Sequence, residues 1–373
     1  VLRRTFKYRL YPTEDQLQIL AYCLTTCRYP CNGVLEDRKN AYDCCGVGLT
    51  YNEQAGQLKY FNLGVYSQVA REVIRRLDKA FQNFFRRVKN GEKKVGYPRF
   101  QGKNRYDSFK CPQSDFKIKD GKLHLSKIGM TRIFRHREIE GNAKTCKIKQ
   151  YGSQWYACFA VELLDSEKKE INTSAGVDIG ITTLVTLSDG TEIENPKTPD
   201  KHDSKLRKAH RCLSQKKSGS SNWNKQKIGI AGVYRKVRNA RKDYLHKSSR
   251  ILADAYNRIL FEDLQIKNMV KNHHLARSLH GVSRSILIGL TTYKAEEAGG
   301  IVEMVNPINT SKQCPVCGCI QSMPLSQRTY QCPDCGAVMS RDHNVAINIK
   351  NRYVRADCPE LTPVKKGCMS NRY

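Results

Sequence analysis

Between residues 67 and 88 apolar side chains return every three or four positions, at Val69, Val73, Leu77, Ala80, Phe81, Phe84 and Phe85. That period puts them on one face of a helix and leaves Arg71, Arg75, Arg76, Lys79, Arg86 and Arg87 on the other. Helical signals run back to Thr13, an N-cap for a first helix through Cys23 and Cys27. Cys23, Cys27 and Cys31 recur at four-residue intervals and read as small core residues, with Pro30 expected to interrupt the helix.

Alternation replaces this period elsewhere. Residues 3–10 read as a strand, as do 116–119, 123–125, 146–149 and 155–161. Asp120-Gly121 and Gly141-Asn142 mark turns between them. Short strands at this spacing predict a small barrel or sandwich that takes in strand 3–10, with Trp155 in its core. Lysines alternating with apolar positions give it one wet, basic face.

From residue 175 the pattern changes again. A strand holds Ala175 to Asp178, and 183–187 continues the sheet. Ser188-Asp189-Gly190-Thr191 turns into 192–194. Residues 256–264 read as a short buried strand ending in carboxylates. A helix near 281–298, a strand at 300–305 and a last helix at 343–352 follow, the last with Val345, Ile349 and Tyr353 at four-residue spacing. The lysine-rich, proline-containing tail, 355–373, is expected to be disordered. No internal repeat is present.

Composition then narrows the function. The chain has 373 residues, room for two or three domains, and a net charge of +30 from 65 Lys and Arg against 35 Asp and Glu. That excess points to a polyanionic partner. An anionic membrane is disfavoured because no run of eighteen apolar residues occurs, and the opening segment does not read as a signal peptide. Val1 is taken to follow an initiator residue that was trimmed or not counted. The 16 cysteines, scattered over a large basic chain, fit a reducing cytosol with one metal-bound quartet. Residues 201–250 carry 16 Lys and Arg and two acidic residues, Asp203 and Asp243, a net +14. Trp223 in this stretch is a candidate for stacking on RNA. His273 and His274, beside Lys271, are read as part of a mobile basic loop over the site.

Two constellations carry chemistry. Cys314-Pro-Val-Cys317-Gly and Cys332-Pro-Asp-Cys335-Gly, fourteen residues apart, have the spacing of a four-thiolate zinc site. The second consists of Asp178, Glu262 and Asp342. The first two end apolar strand segments, where an unpaired buried charge costs several kcal/mol, and Asp342 opens the last helix. If the two strands pair and the helix docks beside them, three carboxylates converge. Their repulsion is relieved by divalent metal, and hard oxygen ligands select Mg²⁺ or Mn²⁺ over zinc. Two such ions about 3.5–4 Å apart support phosphodiester hydrolysis. Asp263 is read as an ordinary surface carboxylate.

The chain resembles the TnpB family of transposon-encoded RNA-guided DNA nucleases, related to type V CRISPR effectors and Fanzor proteins. The resemblance rests on Phe6-Lys-Tyr-Arg-Leu-Tyr-Pro12, Cys27-Arg-Tyr, Leu77-Asp-Lys-Ala-Phe-Gln-Asn-Phe-Phe-Arg-Arg and Lys94-Val-Gly-Tyr-Pro-Arg-Phe100. It continues through Gly176-Val-Asp178-Ile-Gly, Glu262-Asp-Leu, Tyr293-Lys-Ala, Cys314-Pro-Val-Cys-Gly, Arg328-Thr-Tyr-Gln-Cys-Pro-Asp-Cys-Gly and Arg341-Asp342-His-Asn-Val-Ala-Ile-Asn-Ile. These segments run in order from residue 3 to about 350.

The resemblance implies an α/β multidomain protein. An RNase H-like (RuvC) nuclease with an inserted four-Cys zinc ribbon joins a β-barrel wedge domain that a helical recognition lobe interrupts. The implied boundaries are wedge 1–11 and 95–170, helical lobe 12–94, nuclease 171–309 and 340–353, zinc ribbon 310–339 and disordered tail 354–373. The three nuclease carboxylates fall on Asp178, Glu262 and Asp342, and a supporting arginine on Arg328. Target-adjacent motif contacts map roughly to Tyr51, Ser67, Arg71 and Lys110, with Arg75 on the same basic face and Lys312 in the zinc element steering DNA. Expected partners are a guide (omega) RNA, double-stranded target DNA and its displaced strand, with no membrane, one RNA per monomer and a bacterial cytosolic location. Expected cofactors are two Mg²⁺ or Mn²⁺ and one structural Zn²⁺. Ser340 departs from the acidic residue often found before this last motif, and the final stretch is short. Three rivals remain: a nuclease-inactive RNA-guided repressor, a transposase or transposition accessory protein, and a zinc-ribbon transcription factor. The repressor should have lost a carboxylate, the transposase arranges its acidic triad differently, and the transcription factor leaves Asp178 and Glu262 unexplained.

Overall fold

The computed structural model describes residues 2–58, 64–92, 95–102, 105–163, 170–196, 202–264, 284–324 and 326–357. The chain divides into two compact units, Val1–Asp165 and Ser166–Tyr373. Among the described residues no helix is long and apolar enough to cross a membrane.

Among the described residues, the first unit is a seven-stranded antiparallel sheet with three α-helices. Its strands are β1 (Leu2–Tyr11), β2 (Ser108–Pro112), β3 (Phe116–Lys119), β4 (Lys122–Leu125), β5 (Gly129–Phe134), β6 (Asn142–Tyr151) and β7 (Gln154–Leu163). Their order, β2-β6-β7-β1-β5-β4-β3, places the sequence neighbours β2 and β3 at opposite edges. Only residues 113–115 separate those edges, a span of about 14 Å at full extension, so the sheet must curl until they nearly meet. Strand β1 lies at the centre, antiparallel to β7 and β5, as the alternation at 3–10 predicts. Asp120 and Gly121, with φ of 50° and 68°, form the two-residue turn between β3 and β4. The curled sheet encloses Phe6, Tyr8, Ile148, Trp155 and Phe159. Lys110, Lys117, Lys119 and Lys147 alternate with these apolar positions and stay exposed.

The helices of this unit are α1 (Glu14–Cys45), α2 (Tyr51–Gln57) and α3 (Ser67–Lys89). Thr13 caps α1 through a reciprocal hydrogen-bond pair with Gln16. Pro30 does not end the helix as expected; α1 runs through it unbroken. An interior proline removes one backbone hydrogen bond at a cost of about 3 kcal/mol, and packing on both sides offsets it. Before Pro30, Leu20, Cys23, Leu24 and Cys27 fill the core under the curled sheet, joined by Cys31 just beyond it. Further along, Val34 and Leu35 pack on Ile74, Leu77 and Phe81 of α3. The three cysteines are therefore core residues, as their spacing suggests. On α3 the apolar face stops earlier than the sequence implies: Phe84 is half-buried and Phe85 exposed, while Ile74 and Glu72 are buried. Phe84 and Phe85 instead form an aromatic group with Phe81 and Tyr97.

The second unit is built on a five-stranded sheet of β8 (Ser174–Asp178), β9 (Thr183–Leu187), β10 (Glu192–Glu194), β11 (Arg258–Glu262) and β12 (Ile301–Val305). The order is β10-β9-β8-β11-β12. Strand β9 is antiparallel to both β8 and β10, whereas β8, β11 and β12 are mutually parallel. A long basic excursion between β10 and β11 forms α4 (Asp203–Ser214) and α5 (Ser221–Ala255). Helix α6 (Arg284–Glu297) connects β11 to β12. A two-stranded ribbon, β13 (Thr329–Gln331) and β14 (Val338–Ser340), leads into the last helix, α7 (Arg341–Asp357). Val345 and Ile349 of α7 are buried as their spacing predicts; the side chain of Tyr353 and the tail beyond 357 lie outside the described residues.

Helix α7 lies directly on β8, and Gly176 permits that approach. A Cβ at Gly176 would stand 2.1 Å from the Ala346 carbonyl oxygen and 2.7 Å from the Lys350 nitrogen. Both are backbone atoms, so neither can swing aside. Gly176→Ala should therefore push α7 off the sheet, costing at least about 1–3 kcal/mol. The expected readout is a lowered melting temperature together with faster hydrogen exchange in α7; unchanged values for both would contradict this packing.

Candidate active site and metal centre

Asp178 and Glu262 are the last residues of β8 and β11, adjacent parallel strands whose register pairs Val177 with Phe261. Their carboxylates thus leave the same end of the sheet side by side, where open parallel sheets collect ligands. Asp342 arrives from the first turn of α7, and its Oδ2 lies 3.8 Å from where a Cβ on Gly180, just beyond β8, would be. The structure therefore brings the three acidic residues singled out in the sequence to one place. Asp178 is densely surrounded yet still partly open to solvent, while Glu262 is buried. Burial, and then the negative charges of Glu262 and Asp342, push the Asp178 carboxyl up to about 7, with Arg284 opposing them. Asp263 points outward and is exposed.

Four further residues shape this site. Arg284, the first residue of α6, is partly buried against both strand ends. Its guanidinium donates to the carbonyl oxygens of Ile179 (3.4 Å) and Glu262 (3.2 Å) and lies 3.8 Å from Glu262 Oε2. Thr310 donates its hydroxyl to Glu262 Oε1. Asn348, inside α7, donates to the carbonyls of Thr310 (2.9 Å) and Gln313 (2.7 Å), and Asn344 donates to Thr310 O at 3.4 Å. Sequence reasoning passed over all of them. Asn344 and Asn348 had a signal, since they sit four apart beside Val345 and Ile349 on a face that is otherwise apolar. Arg284 and Thr310 had none, because their importance comes only from where the chain returns.

The four cysteines form the second centre. Among the described residues they are the one group in which three or more potential ligand atoms lie within 4.8 Å of one another. Cys314 and Cys335 sulfurs are 3.6 Å apart, Cys317 and Cys332 3.4 Å, too far for disulfide bonds. A tetrahedron with Zn–S bonds of about 2.3 Å has edges of about 3.8 Å, so the donor set fits zinc. The two halves are alike: Gly318 N donates to Cys314 O, and Gly336 N to Cys332 O, each glycine at positive φ. In both loops a backbone N–H two residues on, from Cys319 and Ala337, donates to the second sulfur of the pair. Such donors favour the thiolate form that binds metal, while burial and the crowded neighbouring sulfurs oppose them and hold the Cys317 and Cys335 thiols above their usual value.

This element touches the carboxylate site through backbone. Thr329 faces Ser340 across the β13–β14 ribbon, and Arg341 N donates to Arg328 O at 2.8 Å. Arg328 therefore stands opposite the residue preceding Asp342, with its side chain exposed. Lys312 is exposed on the strip between Thr310 and Cys314, where its carbonyl accepts from Gln321 N. His273, His274 and Lys271 lie outside the described residues.

In the first unit, Ser67, Arg71 and Arg75 recur at four-residue intervals on α3 and are all exposed. Arg75 also reaches Tyr51, whose hydroxyl it approaches at 3.4 Å. Buried Glu72, which sequence reasoning did not weigh, pairs with Arg75 and with Lys110, the latter at 2.9 Å. Of the residues singled out for nucleic acid in this unit, two cations, Arg75 and Lys110, are thus oriented by one carboxylate.

Family models match three stretches of the chain: one described as "Probable transposase" over residues 158–273, a "Cas12f1-like, TNB domain" over 285–349 and a "Helix-turn-helix domain" over 2–46. In the structure the last of these is one strand followed by one continuous helix. A Streptomyces pristinaespiralis protein named "Putative RNA-guided DNA endonuclease" is 31% identical over 363 residues, covering 93% of this chain and 89% of its own length. The Escherichia coli K12 protein named "Putative RNA-guided DNA endonuclease InsQ" is 29% identical over 372 residues, covering 93% and 91%. Among solved structures, the mini-RNA-guided endonuclease CRISPR-Cas phi3 aligns over 94% of this chain and 92% of its own, with a TM-score of 0.51 at 10% identity. That likeness concerns the fold.

Two predictions follow from these centres. A carboxyl raised in the folded state holds its proton there longer than in the unfolded chain, so ionisation opposes folding. In Mg²⁺-free buffer Asp178 should therefore subtract stability progressively as pH rises from about 3.8 to about 7. Asp178→Asn should gain melting temperature relative to the parent across that window; parallel profiles would count against the carboxylate cluster. For the cysteines, elemental analysis should find one zinc per chain, and Cys332→Ser should lose it and expose residues 310–340 to hydrogen exchange.

Proposed function

We propose that this chain, which belongs to the TnpB (IS605 OrfB) family, is an RNA-guided DNA endonuclease whose cleavage site is the cluster of Asp178, Glu262 and Asp342. The observation that carries the site is the convergence of those carboxylates at the end of two parallel strands, with Asp178 raised by burial and then by its neighbours' charge. Family membership supports the activity. Strand order and direction in the second unit support reading it as an RNase H-like, RuvC-type nuclease, and the curled sheet of the first unit as the wedge barrel flanked by a helical recognition lobe.

The oxygen donors suit two Mg²⁺ or Mn²⁺ ions, which when bound would supply Lewis-acid charge stabilisation at a phosphodiester. The protein's own groups do the holding. Thr310 fixes one oxygen of Glu262, leaving the other turned toward Arg284. Arg284 ties the ends of β8 and β11 together and offsets part of the site's charge. Arg328 and Lys312, on the zinc element beside Asp342, attract the DNA strand to be cut. A structured guide RNA binds the basic surfaces mainly through phosphates and 2′-hydroxyls. Tyr51, Ser67, Arg71, Arg75 and Lys110 engage duplex DNA next to the target, with Arg71 or Lys110 reaching a base edge. Guide pairing then opens the duplex, and the heteroduplex is read by its shape. One chain per RNA in the bacterial cytosol is the assembly this implies.

The test is to purify the protein with its co-expressed RNA and challenge it with a DNA library of randomised flanking sequence in Mg²⁺. Guide-dependent cleavage next to a short motif is expected. Asp178→Ala, Glu262→Gln and Asp342→Asn should each lower it by on the order of a thousandfold or more while RNA stays bound. Tight guide-dependent binding by the parent protein without any cut would favour the repressor reading. DNA affinity should also fall steeply and log-linearly with salt.

A further inference from the structure

Beside the turn that joins α4 to α5 lies an open depression of about 650 Å³, lined by His210, Arg211, Ser214, Lys216, Ser218 and Trp223 among others. It belongs to neither centre described above. Its chemistry is consistent throughout. Trp223 is half-buried, with the Lys227 ammonium 4.8 Å from its ring centroid. His210 is held in place by a 3.0 Å hydrogen bond with the Tyr234 hydroxyl. The turn itself is fixed by backbone bonds from Lys216 N to Leu213 O and from Ser220 N to Lys217 O, and Ser220 caps α5.

Charge here is one-sided. Residues 204–242 contain thirteen Lys and Arg and not one Asp or Glu. Surface basicity of this density usually alternates with acidic partners on helices; here Asp203 and Asp243, at the two ends, pair with Arg207 and Lys247. The depression therefore joins an aromatic surface, two cations from its own lining and two serine hydroxyls, and no carboxylate is among its described lining residues. An aromatic plate beside cations and hydroxyls suits a nucleotide: a base stacks on the ring, phosphates meet the cations, and hydroxyls reach the sugar. An acidic peptide would use the cations and leave Trp223 without a role.

We propose that the α4–α5 turn is a nucleotide-binding site that takes one unpaired residue of RNA, its base on Trp223 and its flanking phosphates on Arg211 and Lys216. RNA is favoured over DNA because Ser214 and Ser218 can pair with a 2′-hydroxyl, the group that distinguishes the two. The site rests on the reading of the chain as an RNA-guided protein and adds to it a fixed point for a flipped-out base.

The test uses the full chain purified with its co-expressed RNA. Ultraviolet irradiation followed by peptide mass spectrometry should find a ribonucleotide adduct on the peptide containing Trp223. Absence of that adduct, or a deoxyribonucleotide adduct appearing only when target DNA is added, would overturn the assignment. In parallel, the affinity for that RNA is measured for variants of unchanged melting temperature. Trp223→Ala should weaken binding about tenfold and Trp223→Phe should restore most of it, as stacking requires. Lys216→Glu should flatten the salt dependence by at least about one counterion. If Trp223→Ala holds the RNA as well as the parent, the site is wrong while RNA binding stands. If the parent carries no RNA, the RNA-guided reading falls with it.

Discussion

Everything in the second unit depends on one backbone-to-backbone contact, the seating of α7 on β8 across Gly176. Three elements from distant parts of the chain must deliver acidic groups to a common point. Two are adjacent strands, and sheet register alone places them. The third rides on a helix, and a helix normally stands about 10 Å from a sheet because side chains intervene. At Gly176 there is no side chain, so α7 settles against the strand and its first turn ends beside Asp178. The glycine two residues before the first carboxylate is thus part of the site although it carries no chemistry.

The resulting cluster is expensive electrostatically, and its surroundings show how that expense is distributed. Arg284 binds carbonyl oxygens at the ends of both strands, holding a positive charge where three negative ones gather. Thr310 satisfies one lone pair of Glu262, and Asn348 in turn grips the Thr310 carbonyl. Each of these groups holds a neighbour in position, so the carboxylates keep their orientation despite their mutual repulsion. The zinc element enters this scheme through the backbone of residues 310–313 and the Arg328–Arg341 hydrogen bond, which makes it continuous with the site.

Much of this was legible in the sequence where periodicity or spacing carried the information. The alternation at 3–10 and 116–161, the CxxC pairs and the apolar strands ending in Asp178 and Glu262 all reflect local rules that survive folding. Pro30 misled, because its local cost is offset by burial on either side that no local rule reports. Phe84 and Phe85 continue a helical period past the point where the partner surface ends. Glu72, Arg284 and Thr310 were invisible for a different reason: an ionisable or hydroxyl side chain in a helix or loop looks alike whether solvent or a buried carboxylate faces it. The long α5 helix, with its predominantly positive charge, read as composition and not as architecture.

Helix α1 has a consequence for how the first unit can be altered. Viewed along the chain, residues 12–94 look like a module dropped into a barrel, which invites swapping or trimming. The helix does not respect that division. Its first half fills the interior of the curled sheet and its second half belongs to the helical group, with Pro30 near the handover. Removing the segment would leave the sheet's interior hollow, so a graft must keep residues 14–31 with the strands. The natural seam for exchange lies past Pro30, inside a continuous helix, and not at either end of the apparent insertion.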